Sequence, residues 1–372
     1  MSYKKDFKLK TNPFRTTPSL DPQEVVWAGF HTLEEKIKER ITYSIKIPNS
    51  SLILNWGDYG SGKTHSAIYF SSSKGLEKIA AKEHKPSPYP LYLLLPKGRN
   101  VSFDFFTSIV DRLDVKKLRD EFKEDLTKLK KLIESNSQNE QINKVVYQLF
   151  NDEIEISELK QYLYGTLSPS DLKKNLSDNG LYRFLEKDED YVNFISLFFL
   201  CLTFEQKHYS SVILWIDEFE DIASLSSSGI NNVNDFIREL FNKTPNYLLL
   251  FLNFTLAPVN GFEDISKHLS PALVDRIKDT IEFKYPSLDE LKEYVCDLLN
   301  HDNFRIEKVD QQYYPFTEEA IELVHEILGN VSLRKYNEAF SILLDFADLK
   351  NAEMIDTDFV TDYKSEFEGG WN

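Results

Sequence analysis

Eight consecutive residues constrain the fold of this chain more than any other stretch: Gly57-Asp58-Tyr59-Gly60-Ser61-Gly62-Lys63-Thr64. They satisfy the spacing G-x-x-x-x-G-K-[S/T] in full. The short apolar run Ser51–Asn55 (SLILN) precedes them and predicts a buried strand; a helical pattern from Lys63 to about Ser72 follows. In that strand–loop–helix setting each residue type has a physical reason. Glycines let the backbone wrap a phosphate chain with its N–H groups pointing inward, and the helix behind the loop offers its positive N-terminus to the anion. Lys63 reaches the β- and γ-phosphates, and the Thr64 hydroxyl ligates magnesium. The cofactors expected are therefore ATP and Mg²⁺.

A second pattern completes such a site. Val212-Ile-Leu-Trp-Ile-Asp217-Glu218 is an apolar strand ending in two acids. Asp217 is placed to hold magnesium through its water shell, and Glu218 to orient and polarise an attacking water. Buried strands often end in an acid, so this pattern takes its weight from the complete loop upstream. A further strand, Tyr247–Thr255, carries Asn253 towards its end. An Asn there touches the γ-phosphate or the lytic water, or else caps its own turn. Arg276 falls near the end of a helix expected over 263–277 and interrupted near Pro271; a helix-end Arg also serves the helix dipole. Arg334 opens a later helix, where the alternative is a solvated surface side chain.

The apolar runs at 51–55, 91–95, 211–217, 247–255 and 280–283 are continuous rather than alternating, as in a parallel sheet covered on both faces. Helical patterns separate them, which predicts an α/β core. Residues 82–90 and the serines 226–228 with Gly229 predict loops, the latter followed by a helix from Asn232. Between 114 and 187 the text is charged and strand-poor and predicts several helices, an insertion in the core. After Pro286 the strands stop. Ser287-Leu-Asp-Glu290 is a capping-box pattern, Thr317 and Ser332 can cap two more helices, and together these predict a three-helix lid. The expected organisation is an N-terminal arm at 1–30, a core at 31–285 with the insertion at about 114–187, a lid at 286–350 and an acidic, frayed tail at 351–372.

The phosphate loop, the strand-end acid pair, the strand-end Asn, the helix-end Arg and a helical lid with an early Arg together resemble an AAA+ P-loop ATPase. The resemblance implies that Asn253 is sensor 1, Arg276 the arginine finger acting on a neighbouring subunit, and Arg334 sensor 2. Within AAA+, the chain is similar to the origin-recognition and transposition-regulator branch. Asn12-Pro13-Phe14 and Trp27-Ala28-Gly29-Phe30 resemble the adenine-side segment of origin-recognition ATPases, with Gly29-Phe30 where a Gly-Arg pair is usual. The stretch from Pro271 to Phe283 resembles their finger region. Asp217-Glu-Phe-Glu-Asp221-Ile222 also resembles ATPases of phage-defence operons of the BREX type.

Net charge is −16, which argues against a free-standing nucleic-acid binder, since phosphate neutralisation needs a surplus of Lys and Arg. The chain ends soon after the lid, so DNA binding is expected only as part of an assembly. Two cysteines, Cys201 and Cys296, give no disulfide framework and fit a reducing cytosol. The charged N-terminus carries no apolar leader segment, and the longest apolar run, Phe194–Phe204, is too short for a membrane span. The function expected is an ATP-binding and hydrolysing, homo-oligomerising switch in the cytoplasm. It would control a nucleic-acid process such as transposition, replication or phage defence, with protein partners from the same operon. The alternatives are a STAND- or chaperone-like ATPase acting on protein partners through its helical insertion, and a nucleotide-dependent scaffold with little hydrolysis.

Overall fold

The structure is a computed structural model and describes residues 7–17, 25–98, 100–256 and 262–369. Five parallel strands form its centre: β1 (Ser51–Gly57), β2 (Tyr89–Leu94), β3 (Val212–Asp217), β4 (Leu248–Thr255) and β5 (Ile277–Phe283), in the spatial order β2-β3-β4-β1-β5. Because β3 lies between β2 and β4, and β1 between β4 and β5, the chain crosses over by helices on both faces. Successive strand residues point to opposite faces, and here both faces are apolar. Leu52 and Leu54 of β1, Leu214 and Ile216 of β3 and Leu250 and Leu252 of β4 point into one core. Ile53, Ile213, Trp215, Leu249 and Phe251 point into the other, where the rings of Trp215 and Phe251 stack at 3.9 Å between centroids. This is why the strands read as unbroken apolar runs.

The second core is closed by α1 (His31–Lys46), α2 (Lys63–Ser71) and α3 (Ser73–Lys82), through Ile37, Ile41, Ile45, Ala67, Phe70 and Leu76. The first is closed by α4 (Val101–Asp111), α9 (Asp188–Leu202) and α10 (Ser227–Lys243). Between α4 and α9 lie α5 (Val115–Phe122), α6 (Leu126–Asn136), α7 (Glu140–Gln148) and α8 (Ile156–Leu163). These helices of the insertion do not form a separate body. Leu118, Phe122, Leu129, Ile133, Val146 and Leu159 are buried in the same core as the sheet. Asp125, between α5 and α6, accepts from Lys207 Nζ at 2.6 Å and His208 Nε2 at 2.8 Å on the segment leading into β3.

Two expectations at the helix boundaries change. The serine-rich stretch read as a loop is the start of α10: Ser226 is its N-cap, its hydroxyl accepting from Gly229 N at 3.2 Å. The single helix expected over 263–277 is two short ones, α11 (Phe262–Ser266) and α12 (Pro271–Val274), and β5 begins at Ile277. Arg276 therefore stands directly before a strand.

After β5 come α13 (Leu288–Asn300), α14 (Glu318–Leu328) and α15 (Leu333–Lys350). Ser287 and Glu290 form the capping box reciprocally, and Thr317 caps α14 by accepting from Ala320 N. Two further helices, α16 (Thr357–Asp362) and α17 (Lys364–Glu368), bury Val360 and Phe367 against this lid, so the acidic stretch is packed as far as the described residues run. The N-terminal arm is part of the same unit. Phe7, Leu9 and Phe14 lie in the lid core, where each fully buried side chain contributes on the order of 1.5–3 kcal/mol. Arg305 pins the arm: its buried guanidinium donates to the carbonyls of Phe7, Leu299 and Tyr314 at 2.7–2.9 Å.

Candidate active site

The loop between β1 and α2 places Gly57–Thr64 at the C-terminal edge of the sheet, where three neighbouring strands bring their ends together. Lys63 is 5% exposed, and its Nζ donates to the carbonyls of Gly57 (3.0 Å) and Asp58 (2.8 Å) and to Ser61 Oγ (3.2 Å). Burial pushes its pKa down to about 8, against the pull of Glu220, Asp217 and Asp58. Gly62 has φ +103°, a backbone conformation that favours glycine, and a Cβ there would meet nothing within 4 Å. Gly60 has φ +77°, and a Cβ would stand 2.6 Å from Arg334 Cβ: only a glycine lets the lid come this close.

Asp217, at the end of β3, is 2% exposed. Its Oδ2 accepts from Tyr92 OH on β2 at 2.9 Å, and its Oδ1 from Asn253 Nδ2 on β4 at 3.0 Å. The carboxylate is thus held from both neighbouring strands. Glu218 follows in the left-handed region at φ 54° and is exposed. Its carboxylate faces Lys97 Nζ at 3.9 Å, and desolvation raises its pKa. The backbone turn separates the two acids: one is buried and fixed, the other open to the cleft.

Asn253 is fully buried beneath the loop and not on the wall of the cleft. Its amide also donates to Lys63 O at 3.4 Å, and its oxygen accepts from Asn55 Nδ2 at 2.9 Å. Two residues on, Thr255 points the same way along the pleat and does line the cleft. Its N–H donates to Glu220 Oε2 at 3.0 Å, and Glu220 also lines the cleft. Sequence reasoning missed Glu220 and Tyr92. The acid-rich phrase Asp217–Asp221 was a signal for the first; nothing local marked the second.

Arg334 lies where the sequence places it, at the first turn of α15 and on the cleft. Its N–H donates to Gly60 O at 3.2 Å and its guanidinium sits 4.3 Å from the centroid of the Tyr59 ring. Arg276 lies away from this cleft. It donates to Ala272 O and to Asn242 Oδ1 (2.7 Å), while the nearby acid Asp279 pairs with Arg40. The other end of the cleft is lined by Val26, Trp27, Phe30, His65 and Tyr294. His65 Nε2 donates to Val26 O at 2.8 Å, and burial lowers the ring's pKa, favouring the neutral form that makes this bond.

Thr64 and Asp217 offer a hydroxyl and a carboxylate, hard oxygen donors that suit magnesium. Among the described residues no group of three or more His, Cys, Asp or Glu forms a metal cage.

No family model and no curated protein matches the chain. Among solved structures it is similar to the ORC2 protein of Aeropyrum pernix, with 13% identity over 98% of this chain and 73% of that one and a TM-score of 0.56. It is also similar to Cdc6p from Pyrobaculum aerophilum, with 12% identity over 98% and 73% of the two chains and a TM-score of 0.51. At such identity the likeness concerns the fold: an α/β core with a P-loop and a parallel sheet, followed by a small helical lid. No helix among the described residues is long and apolar enough to cross a membrane.

Proposed function

We propose that this chain is an ATPase that binds ATP with magnesium between the phosphate loop and the lid and hydrolyses it. The observation that carries the reading is the convergence of Lys63, Asp217 and Asn253 at three adjacent strand ends, with Arg334 of the lid directly above the loop. In that arrangement the loop N–H groups and Lys63 hold the phosphate chain, replacing the backbone acceptors that Lys63 now uses. Thr64 and Asp217 would hold magnesium, which would neutralise phosphate charge when bound. Glu218, exposed at the cleft with its pKa raised by desolvation, orients the attacking water and accepts its proton. Asn253 keeps Asp217 in place from below. The Aeropyrum pernix ORC2 structure is described as ADPNP–ADP complexes, which supports the same ligand class for this fold.

At the level of biology, the reading is a nucleotide-switched, oligomerising regulator of a nucleic-acid process, in the manner of the origin-recognition, transposition and phage-defence ATPases that the motifs resemble. Arg276 supports the oligomer: it lies off its own cleft, at the edge strand β5, so a catalytic task for it requires a neighbour's nucleotide. A second reading, action on protein partners, is favoured by the net charge of −16 and by the broad helical surface that α5 to α8 add beside the sheet. Titration with labelled duplex DNA and with candidate partner proteins separates the two.

The ATPase reading is tested by Glu218→Gln. The variant is expected to bind ATP with parental affinity and to lose turnover by about 10²–10⁴-fold, as for loss of a positioned base. Turnover at the parental rate contradicts the role of Glu218.

A further inference from the structure

Three consecutive residues at the variable positions of the phosphate loop each hold the lid or its hinge. Asp58 Oδ2 accepts from Tyr285 OH at 2.7 Å, and Tyr285 lies between β5 and the capping box that opens α13. Asp58 Oδ1 accepts from Tyr59 N at 2.7 Å, which fixes the turn on which Tyr59 stands. Tyr59 is 63% exposed to solvent, yet its ring carries the Arg334 guanidinium 4.3 Å from its centroid. Gly60 O accepts from Arg334 N, and the missing Cβ of Gly60 is what admits the α15 backbone. A phosphate loop needs glycines and a lysine at its fixed positions; it has no need of an aromatic at the third. An exposed tyrosine there, stacked on the lid arginine and stapled by the preceding aspartate, has a task directed at the lid.

We infer that Tyr59 is a positioning residue: it holds Arg334 over the phosphate loop, so that the lid arginine meets the nucleotide's phosphates from a preset place. The inference rests on the nucleotide reading above and deepens it. An arginine on a long, flexible stem loses rotamer freedom when it engages phosphate, and a ring beneath it removes part of that cost before the ligand arrives. A guanidinium held over a ring can still offer its N–H fork to phosphate, because stacking uses the π surface and phosphate recognition uses the edge. The Asp58–Tyr285 bond ties the loop to the segment that leads into the lid.

The test is a double-mutant cycle on ATP and ADP affinity, with magnesium, using the full chain and Tyr59→Ala, Arg334→Ala and the double variant. Tyr59→Phe keeps the ring and is the conservative rescue; Lys63→Ala is the control for binding at the loop. Tyr59→Ala is expected to weaken ATP binding by roughly three- to ten-fold, the scale of a partly exposed cation–π contact. ADP should be affected less. Tyr59→Phe should bind like the parent, and in the Arg334→Ala background Tyr59→Ala should have no further effect. Additive losses in the double variant, or a Tyr59→Phe defect equal to that of Tyr59→Ala, overturn the inference while leaving Lys63-dependent binding intact. Unchanged affinity of the Lys63→Ala control overturns the nucleotide reading and this inference with it.

Discussion

The side-chain amide of Asn253 donates to Asp217 Oδ1 over 3.0 Å, with both residues buried under the phosphate loop. The bond joins β4 to β3 at the point where magnesium chemistry is expected. Asn253 also accepts from Asn55 of β1, so three strands meet through one amide. Asn253→Ala is expected to cost about 1–3 kcal/mol of stability, since it strands the Asn55 amide and removes a donor from a buried carboxylate. Turnover should fall as Asp217 loses its orientation. Thermal unfolding and steady-state ATPase assays check both; a variant with parental stability and rate contradicts the role given to Asn253.

Asp125 fastens the insertion to the core, and its titration gives a stability signature. The Lys207 ammonium, and after it the His208 ring, hold the Asp125 carboxyl below its ordinary value of 3.8. A depressed acid contributes stability that is fully present above the unfolded-state value and is lost as pH falls through the folded one. Asp125→Asn is expected to destabilise the chain by about 1–3 kcal/mol at neutral pH. The difference from the parent should shrink as pH falls below 3.8. Urea unfolding at a series of pH values checks this; a difference that grows on acidification contradicts it.

The insertion also shows where the sequence stops being legible. Its helices are visible in the charge and apolar pattern, but that pattern describes each helix alone. Whether Leu118, Phe122 and Leu159 close a separate body or the sheet's own core is decided by contacts across long stretches of chain. They close the core. Deleting 114–187 therefore opens the core that α4, α9 and α10 share with the sheet rather than trimming a satellite.

The phosphate loop, by contrast, was readable in full, because its chemistry dictates residue types at fixed spacing. Asn253 and Thr255 differ in a way no spacing reveals: both lie on the same side of β4, and the depth of the loop above decides which one reaches the cleft. The packed helices α16 and α17 escape because their few apolar residues, among them Phe359, Val360 and Phe367, are interspersed with acids and form no long stripe. The bond between Asp58 and Tyr285 joins residues far apart in sequence, and only the fold brings them together.

Arg276 supplies a prediction about assembly. Its side chain is anchored by Ala272 O and Asn242 beside β5, away from its own cleft. If it serves a neighbour's site, Arg276→Ala carries an intact nucleotide site without a finger, and Glu218→Gln a finger without a working site. Each alone is expected to be nearly inactive, since an arginine finger is worth about 10³–10⁵ in rate. Mixed together they should regain part of the activity. Normal hydrolysis by Arg276→Ala at high protein concentration contradicts the assignment.

The account rests on Lys63 meeting a phosphate chain. Its Nζ is buried and, among the described residues, donates to the Gly57, Asp58 and Ser61 oxygens of the loop. Calorimetric titration of the parent and of Lys63→Ala with ATP and magnesium measures this directly. Saturable one-site binding by the parent, weakened by at least about 100-fold in Lys63→Ala, is the expected result for loss of a charge-assisted contact to phosphate. Equal affinity in the two proteins, or no binding by the parent, contradicts it.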